Sequence, residues 1–352
     1  MSIPNFQKPI LILLQVFLFV SVSFAQETER IFELINKRQL DSAIHLSRKI
    51  LSKEPENGQV LFGMGRSHMR KGNIDSAFLF LNRALGVSDS PLHTKAWTMH
   101  DLSLCYYYRG NYKESKDLLE KAIKLEATKN VTASAGRYYT LLGFDSRFNS
   151  WSVRESEHFV FHFQNKEFKQ IDRFISMKEN GFRSINKFFG GTLPKKIDYF
   201  VWDSDAAGKV VLNASLAFTE PSLCLTHTSA GHTIGHEITH SISADAVKMK
   251  KKHRLISEGV CVYFDLSSKN NMTELRRRAS SIDIVSIWKN EVQVGDDILY
   301  PLGGEIVKRL VEKYGREKFL QLLSVQTYES AQEIYGSAIN DILSGIENEL
   351  KM

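Results

Sequence analysis

The sequence predicts an α+β protein in two parts, an N-terminal array of helical repeats and a C-terminal domain that combines a small sheet with helices. Between Glu27 and about Gly143, small and apolar residues recur with a long period, which is typical of stacked helix pairs. After Trp151 the pattern changes to short segments that alternate like strands, followed by segments with helical spacing. A small sheet followed by helices is an α+β arrangement.

Composition describes a folded, soluble protein without a strong charge preference. The 352 residues are too many for one ordinary core and suit two domains. A net charge of +6, from 46 basic and 40 acidic residues, gives no electrostatic case for binding nucleic acid. Cys105, Cys224 and Cys261 lack the spacing of zinc pairs and are interpreted as buried small residues, with a Cys224–Cys261 disulfide as the alternative.

Residues 1–25 are predicted to be a secretory signal peptide. Lys8 supplies a positive charge, residues 9–20 form an apolar run, and Ala25 ends a segment suited to cleavage. A retained membrane anchor is the alternative, because the apolar run approaches the lower limit for a spanning helix. The leader predicts export to the periplasm or the extracellular space, with no membrane-spanning segment after cleavage.

Residues 26–148 are predicted to form the repeat array. Ala43, Ala77 and Ser115 occupy equivalent places, the first two 34 residues apart and the second two 38 apart. Small residues at such places let paired helices approach closely, and Gly72 and Gly110 are expected to end the first helix of their pairs. The predicted helical segments are 63–68 and 102–107 as first helices, 75–85 and 113–125 as second helices, and 133–142 as a closing helix.

This part of the chain resembles the tetratricopeptide repeat, over roughly a third of the sequence. The resemblance implies about three repeats and a concave face that binds a peptide or protein partner. A structural spacer is the alternative, since a fold does not by itself define a function.

The C-terminal part, residues 149–352, begins with predicted strands around one helix. Residues 157–163 alternate like a half-buried strand, and residues 166–189 have helical spacing. Residues 196–202 and 222–228 are predicted as two further strands.

The segment His236-Glu237-Ile238-Thr239-His240 carries the sharpest chemical signal. On a helix, histidines four residues apart lie on one face and can both reach one zinc ion. Glu237 would then lie beside the open coordination position and act as the base that takes a proton from water. Chance predicts about 0.04 such H-E-x-x-H motifs in a chain of this composition.

A catalytic zinc site needs a third protein ligand. The segment from Glu258 to Tyr263 resembles the E-G-x-x-x-Y motif of the gluzincin zinc peptidases, and the resemblance implies that Glu258 is that ligand. Asp265 is predicted two turns further along the same helical face, where it would orient a ligand histidine. A solvent-facing helix end is the alternative for Asp265.

Tyr300-Pro301-Leu302-Gly303 resembles the tyrosine-x-x-glycine element of gluzincin aminopeptidases. The resemblance implies that the Tyr300 hydroxyl stabilises the oxyanion of the tetrahedral intermediate. Pro301 is expected to force Tyr300 out of helical geometry so that the ring projects from the start of a helix. A tyrosine of the hydrophobic core is the alternative.

Together these features predict an exported metallopeptidase with one catalytic Zn²⁺, acting on a peptide or protein. Two alternatives remain open: a repeat-based binding protein with a degenerate hydrolase domain, and a zinc hydrolase for a substrate other than a peptide. His232, four residues before His236, is predicted to be a helix-start or surface residue, because a fourth ligand would close the site. Residues 216–225 precede the histidine helix, where the resemblance implies an edge strand that pairs with the substrate backbone.

Overall fold

The computed structural model describes residues 26–165, 170–214 and 217–352, and the predicted leader lies outside these ranges. The chain divides after Asp145 into two compact units. The first is helical and the second combines a small mixed sheet with helices, which confirms the α+β class. None of the helices in the described ranges combines the length and the apolar character needed to span a bilayer.

The first unit consists of consecutive helices. These are α1 (26–36), α2 (Leu40–Leu51), α3 (Gly58–Arg70), α4 (Ile74–Gly86), α5 (Leu92–Tyr108), α6 (Tyr112–Lys124) and α7 (Lys129–Leu141).

Small residues and glycines have the roles that the repeat pattern predicts. The side chains of Ala43, Ala77 and Ser115 are all fully buried, where the helices pack closely. Gly72 and Gly110 follow α3 and α5 with φ angles of +78° and +77°, a left-handed conformation that glycine adopts without strain. The step of 38 residues from Ala77 to Ser115 exceeds the step of 34 from Ala43 to Ala77 because α5 has 17 residues and α3 has 13.

The second unit contains a five-stranded sheet in the order β1-β2-β3-β5-β4. Its strands are β1 (Ser152–Glu155), β2 (Phe159–Phe163), β3 (Ile197–Trp202), β4 (Phe218–Glu220) and β5 (Leu225–Ser229). The three central strands are parallel, and the edge strands β1 and β4 run antiparallel to their neighbours. Strand β1 was not predicted.

The prediction of one strand over residues 222–228 is wrong in its first half. Pro221–Leu223 is a short 3₁₀ turn, and Cys224 has a φ of +48° before β5 begins at Leu225. Pro221 has no N–H to donate to a ladder, so strand β4 stops before it.

Helices cover the sheet and complete the second unit. They are α8 (Ile171–Phe189), α9 (Asp205–Leu212), α10 (His236–Ala246), α11 (Arg254–Tyr263), α12 (Asn271–Arg276), α13 (Ile284–Trp288), α14 (Asp296–Ser324), α15 (Tyr328–Tyr335) and α16 (Ala338–Leu350). Helix α14 is kinked at Gly315, which has a φ of +80°. Strand β3 is buried at every residue, and its inward side chains share one core with α8 and α10.

Helices α11 and α14 cross with their backbones in contact. A Cβ atom built on Gly259 would lie 2.5 Å from the carbonyl carbon and oxygen of Gly303. A Cβ atom on Gly303 would lie 2.2 Å from the carbonyl oxygen of Leu255. Because neither neighbour is a flexible side chain, both positions require glycine at this crossing.

Gly259→Ala is expected to lower the free energy of unfolding by about 1–3 kcal/mol or more, because the added methyl group forces the two helix backbones apart. Gly345→Ala in α16 is the matched control, since its Cβ atom would meet only the end of the Arg309 side chain, at 3.3 Å. Chemical denaturation of the two variants measures the difference. Equal stability of both variants would contradict the close crossing.

Candidate metal centre

Helix α10 presents His236 and His240 on one face and buries the opposite face in the core. Ile238 and Ile242 are fully buried, whereas the two histidine side chains are 16% and 23% exposed. Their ring centroids are 5.2 Å apart. The spacing of four residues therefore places the two imidazoles on one helical face, where both can bind the same metal ion.

The start of α10 is fixed against the end of α11. The backbone N–H of Gly235 donates to the carbonyl oxygen of Asp265 at 3.1 Å. A Cβ atom on Gly235 would lie 1.9 Å from the carbonyl oxygen of Phe264, so only glycine fits there. This contact places the first turn of α10 beside α11, which carries Glu258.

Glu258 brings a carboxylate oxygen between the two imidazoles. Its Oε2 atom lies 3.4 Å from Nε2 of His236 and 3.5 Å from Nε2 of His240. Hydrogen bonds between charged groups of this kind are normally about 2.7–2.9 Å long. Glu258 Oε2 is shielded from solvent and has no hydrogen-bond partner.

These distances suit a tetrahedral metal ion. Two ligand atoms that are each about 2.1 Å from one tetrahedral zinc lie about 3.4 Å apart. Two imidazoles and a carboxylate are also the donor set of a catalytic zinc site with one position left open. A cation bound here would satisfy the buried oxygen that otherwise has no partner.

The charges in the site also favour a cation. Burial by itself would raise the pKa of Glu258, but the rings of His236 and His240 outweigh it and hold that pKa well below its ordinary value. Glu258 is therefore an anion at neutral pH.

Glu237 follows His236 and is almost completely buried. Its Oε2 atom accepts a hydrogen bond of 2.7 Å from Oγ1 of Thr219 in β4. Thr219 is in turn 2.9 Å from Oγ1 of its cross-strand partner Thr226 in β5. The edge strand therefore fixes the orientation of the predicted base.

A buried lysine supports the same region from α8. Nζ of Lys178 donates to the carbonyl oxygens of Thr233 and Ile234, at 2.9 and 3.1 Å, in the segment that leads into α10. Burial lowers the pKa of Lys178 to about 7, and the negative charge of Glu237 acts in the opposite direction.

Tyr300 lies at the site, although not in the conformation that we predicted. Helix α14 begins at Asp296, so Tyr300 and Pro301 are both within it, and the prediction that Pro301 displaces Tyr300 from the helix is wrong. Pro301 costs the helix one hydrogen bond near its start without ending it. The Tyr300 ring lies nearly parallel to that of His236, with centroids 5.8 Å apart.

Burial and the negative charge of Glu258 raise the pKa of Tyr300 to about 12, so its hydroxyl keeps its proton and remains a donor. The guanidinium carbon of Arg254 lies over the Tyr300 ring, 5.7 Å from its centre. Arg254 also pairs with Asp296 at 2.7 Å, which joins the first residues of α11 and α14.

The prediction that Asp265 shares a helical face with Glu258 is wrong. Helix α11 ends at Tyr263, and the Asp265 carboxylate accepts hydrogen bonds from the N–H and hydroxyl of Ser267, at 2.7 and 3.0 Å. His232 is partly exposed and lies 2.9 Å from Asp205 rather than in the histidine cluster, as predicted for a surface residue.

Cys261 belongs to the site, and sequence reasoning missed it. All three cysteines are free and buried, but the sulphur of Cys261 and one ring nitrogen each of His236 and His240 lie within 4.8 Å of one another. The sequence contains one signal for this role, because Cys261 lies three residues after Glu258, which is about one helical turn. Thr219 and Lys178 gave no comparable signal, because only the packing of β4 and α8 brings them to Glu237.

A second group of potential metal ligands consists of Glu157, His158 and Glu179. Unlike Glu258 Oε2, its carboxylates have hydrogen-bond partners within the protein. His158 donates through its backbone N–H to Glu179 at 2.9 Å, and Nδ1 of the same residue is 2.7 Å from the other oxygen of Glu179. Arg183 donates to Glu157 at 2.6 Å. These carboxylates already have partners, unlike Oε2 of Glu258.

Comparison with known proteins identifies the repeats. Residues 56–125 match the tetratricopeptide repeat family, which supports the predicted repeats and indicates a protein partner for the first unit. A search of the curated proteins found no match to the chain.

Lys178→Met is expected to remove part of the pH dependence of stability. Between pH 7 and about 10.5 the unfolded lysine keeps a proton that the folded one has released, so this group makes the protein more stable as pH rises. The gain is at most ~5 kcal/mol, from about 1.36 kcal/mol for each unit of pKa difference. Denaturation at several pH values measures it, and Lys187→Met, an exposed lysine of α8, is the control. Parallel stability curves for the wild type and Lys178→Met would contradict a lowered pKa.

Proposed function

We propose that the second unit is a zinc-dependent peptidase of the gluzincin type. The observation that carries the proposal is Glu258 Oε2, a buried atom without a hydrogen-bond partner, 3.4 and 3.5 Å from the two Nε2 atoms of His236 and His240. These three residues would hold the zinc ion. A zinc ion in such a site supplies a Lewis acid that polarises a carbonyl group and makes a water molecule more acidic.

Glu237 is the general base of the proposed reaction. It is 5% exposed, and the hydroxyl of Thr219 holds one of its carboxylate oxygens. From this position Glu237 would take a proton from the attacking water and deliver it to the leaving amine. Lys178 keeps the segment before α10 in place, and so supports the helix that carries Glu237.

Tyr300 is the proposed hydrogen-bond donor to the oxyanion. Its ring lies beside His236, and its raised pKa keeps the hydroxyl protonated at neutral pH. A donor aimed at the charge that develops in the transition state typically contributes about 10²–10³ in kcat.

The edge strand β4 is the proposed binding element for the substrate backbone. It is the outermost strand on its side of the sheet, and Thr219 in this strand touches Glu237. An extended peptide that pairs with β4 would therefore lie next to the base. We also propose that the leader exports the protein, so that these reactions take place outside the cytoplasm.

A second candidate function is a protein-binding scaffold, and the repeat family match favours it. That match lends nothing to the peptidase, which rests on the geometry of the second unit. A hydrolase for another substrate class is a third candidate, because the same donors would activate water against an ester. Assays with peptides and esters on the metal-loaded protein distinguish these functions.

Glu258→Ala is expected to weaken zinc binding, because two histidines alone hold the ion poorly. The loss should exceed the about 10–100-fold that removal of an outer-shell partner costs. Competition with a chelator of known affinity measures it, and Asp265→Ala is the control because its carboxylate is engaged by Ser267. Unchanged zinc affinity in Glu258→Ala would place the third ligand elsewhere.

Glu237→Gln is expected to retain zinc and lose about 10²–10⁴ in hydrolysis rate, because the amide cannot accept the proton. Mass spectrometry of the products from an unbiased peptide library measures cleavage at any peptide sequence. Glu179→Gln is the matched control, since Glu179 has the same 5% exposure but pairs with His158. Wild-type cleavage by zinc-loaded Glu237→Gln would exclude Glu237 as the base. Absence of cleavage by the zinc-loaded wild type would exclude the peptidase.

A further inference from the structure

The histidine pair of the candidate metal centre has two possible third donors on the same helix. Glu258 contributes a carboxylate, and Cys261, three residues later on α11, contributes a thiol. The Cys261 sulphur and one ring nitrogen each of His236 and His240 lie within 4.8 Å of one another, and Cys261 is fully buried. The proposed peptidase uses the oxygen donor and gives the sulphur no role.

The two donors have different metal preferences. Carboxylates suit hard cations, whereas thiolates select soft ones. Zinc accepts both kinds of ligand, so the carboxylate is sufficient for zinc. A softer divalent ion such as Cd²⁺ gains more from sulphur than from oxygen.

The Cys261 sulphur is close enough to the two histidine nitrogens to share a metal ion with them after a small movement. Sulphur and nitrogen atoms on one tetrahedral zinc ion are about 3.6 Å apart, with bonds of about 2.3 and 2.1 Å. Because the sulphur and the two nitrogens lie within 4.8 Å of one another, a movement of at most ~1 Å, such as a rotation about the Cα–Cβ bond of Cys261 produces, brings them to this spacing.

We propose that Cys261 is an alternative metal ligand, which binds soft divalent cations together with His236 and His240. The proposal rests on the metal site of the proposed function. On binding, the S–H bond breaks, the proton passes to solvent and a sulphur–metal bond forms, with no change of oxidation state. If Glu258 also stays bound, four protein ligands close the position that a substrate needs, so the cadmium-loaded protein should be inactive.

Titration of the full-length, metal-free protein with Cd²⁺ tests the proposal. The wild type is expected to develop the ultraviolet absorption of a thiolate–cadmium bond, and Cys261→Ala to lose it. Cys261→Ala should also bind Cd²⁺ at least about 10-fold more weakly, with a smaller change for Zn²⁺. Cys224→Ala, another buried and free cysteine, is the matched control and should keep the absorption.

A cadmium-loaded wild type without this absorption, or the same absorption in Cys261→Ala, would overturn the proposal. If Cys261→Ala does not fold, Cys261→Ser retains the size of the side chain and is expected to lose the absorption in the same way. Glu258→Ala separates the two proposals. Loss of zinc affinity in Glu258→Ala with no thiolate absorption in the wild type would refute only the role of Cys261. Unchanged zinc affinity in Glu258→Ala would refute Glu258 as the zinc ligand of the proposed function and leaves the role of Cys261 to the cadmium absorption.

Discussion

The close crossing of α11 and α14 is the constraint on which the candidate site depends. Gly259 and Gly303 leave no space for a side chain between the two helix backbones. Glu258 directly precedes the first glycine, and Tyr300 lies one turn before the second. Any larger residue at the crossing would separate the helices that bring these two side chains to His236. The packing of glycine backbones therefore sets the position of Glu258 relative to Tyr300, and the contact of Gly235 with the end of α11 sets its position relative to the two histidines.

Charge provides the second constraint. The Oε2 atom of Glu258 is buried between two imidazoles without a hydrogen bond, and a bound cation would compensate its charge. Nζ of Lys178 is also buried, but backbone carbonyl oxygens accept its hydrogen bonds, and burial lowers its pKa to about 7. Lys178 therefore supports the backbone beside the site, whereas Glu258 Oε2 remains available to a bound cation.

The two units carry different kinds of functional information. In the first unit, Arg66 binds Asp101 at 2.6 Å and lies over the rings of Phe62 and Trp97, so successive repeats are joined by polar as well as apolar contacts. Its family match indicates a protein partner. In the second unit the geometry of the donors is the basis of the proposed hydrolysis. The proposed peptidase is compatible with a protein-binding repeat domain, since such a domain can supply a peptidase with its substrate.

The sequence by itself determined the repeats, the class of fold and the histidine helix, because these follow from local periodicity and from the spacing of four residues between His236 and His240. It did not determine β1, the true end of α11 or the helical conformation of Tyr300, which depend on contacts between elements. Thr219, which donates a hydrogen bond to Glu237, lies 18 residues before it in β4. Lys178, whose pKa the charge of Glu237 affects, lies in α8. Only the tertiary structure brings such distant residues together, because strand pairing and helix packing leave no periodic trace at those positions.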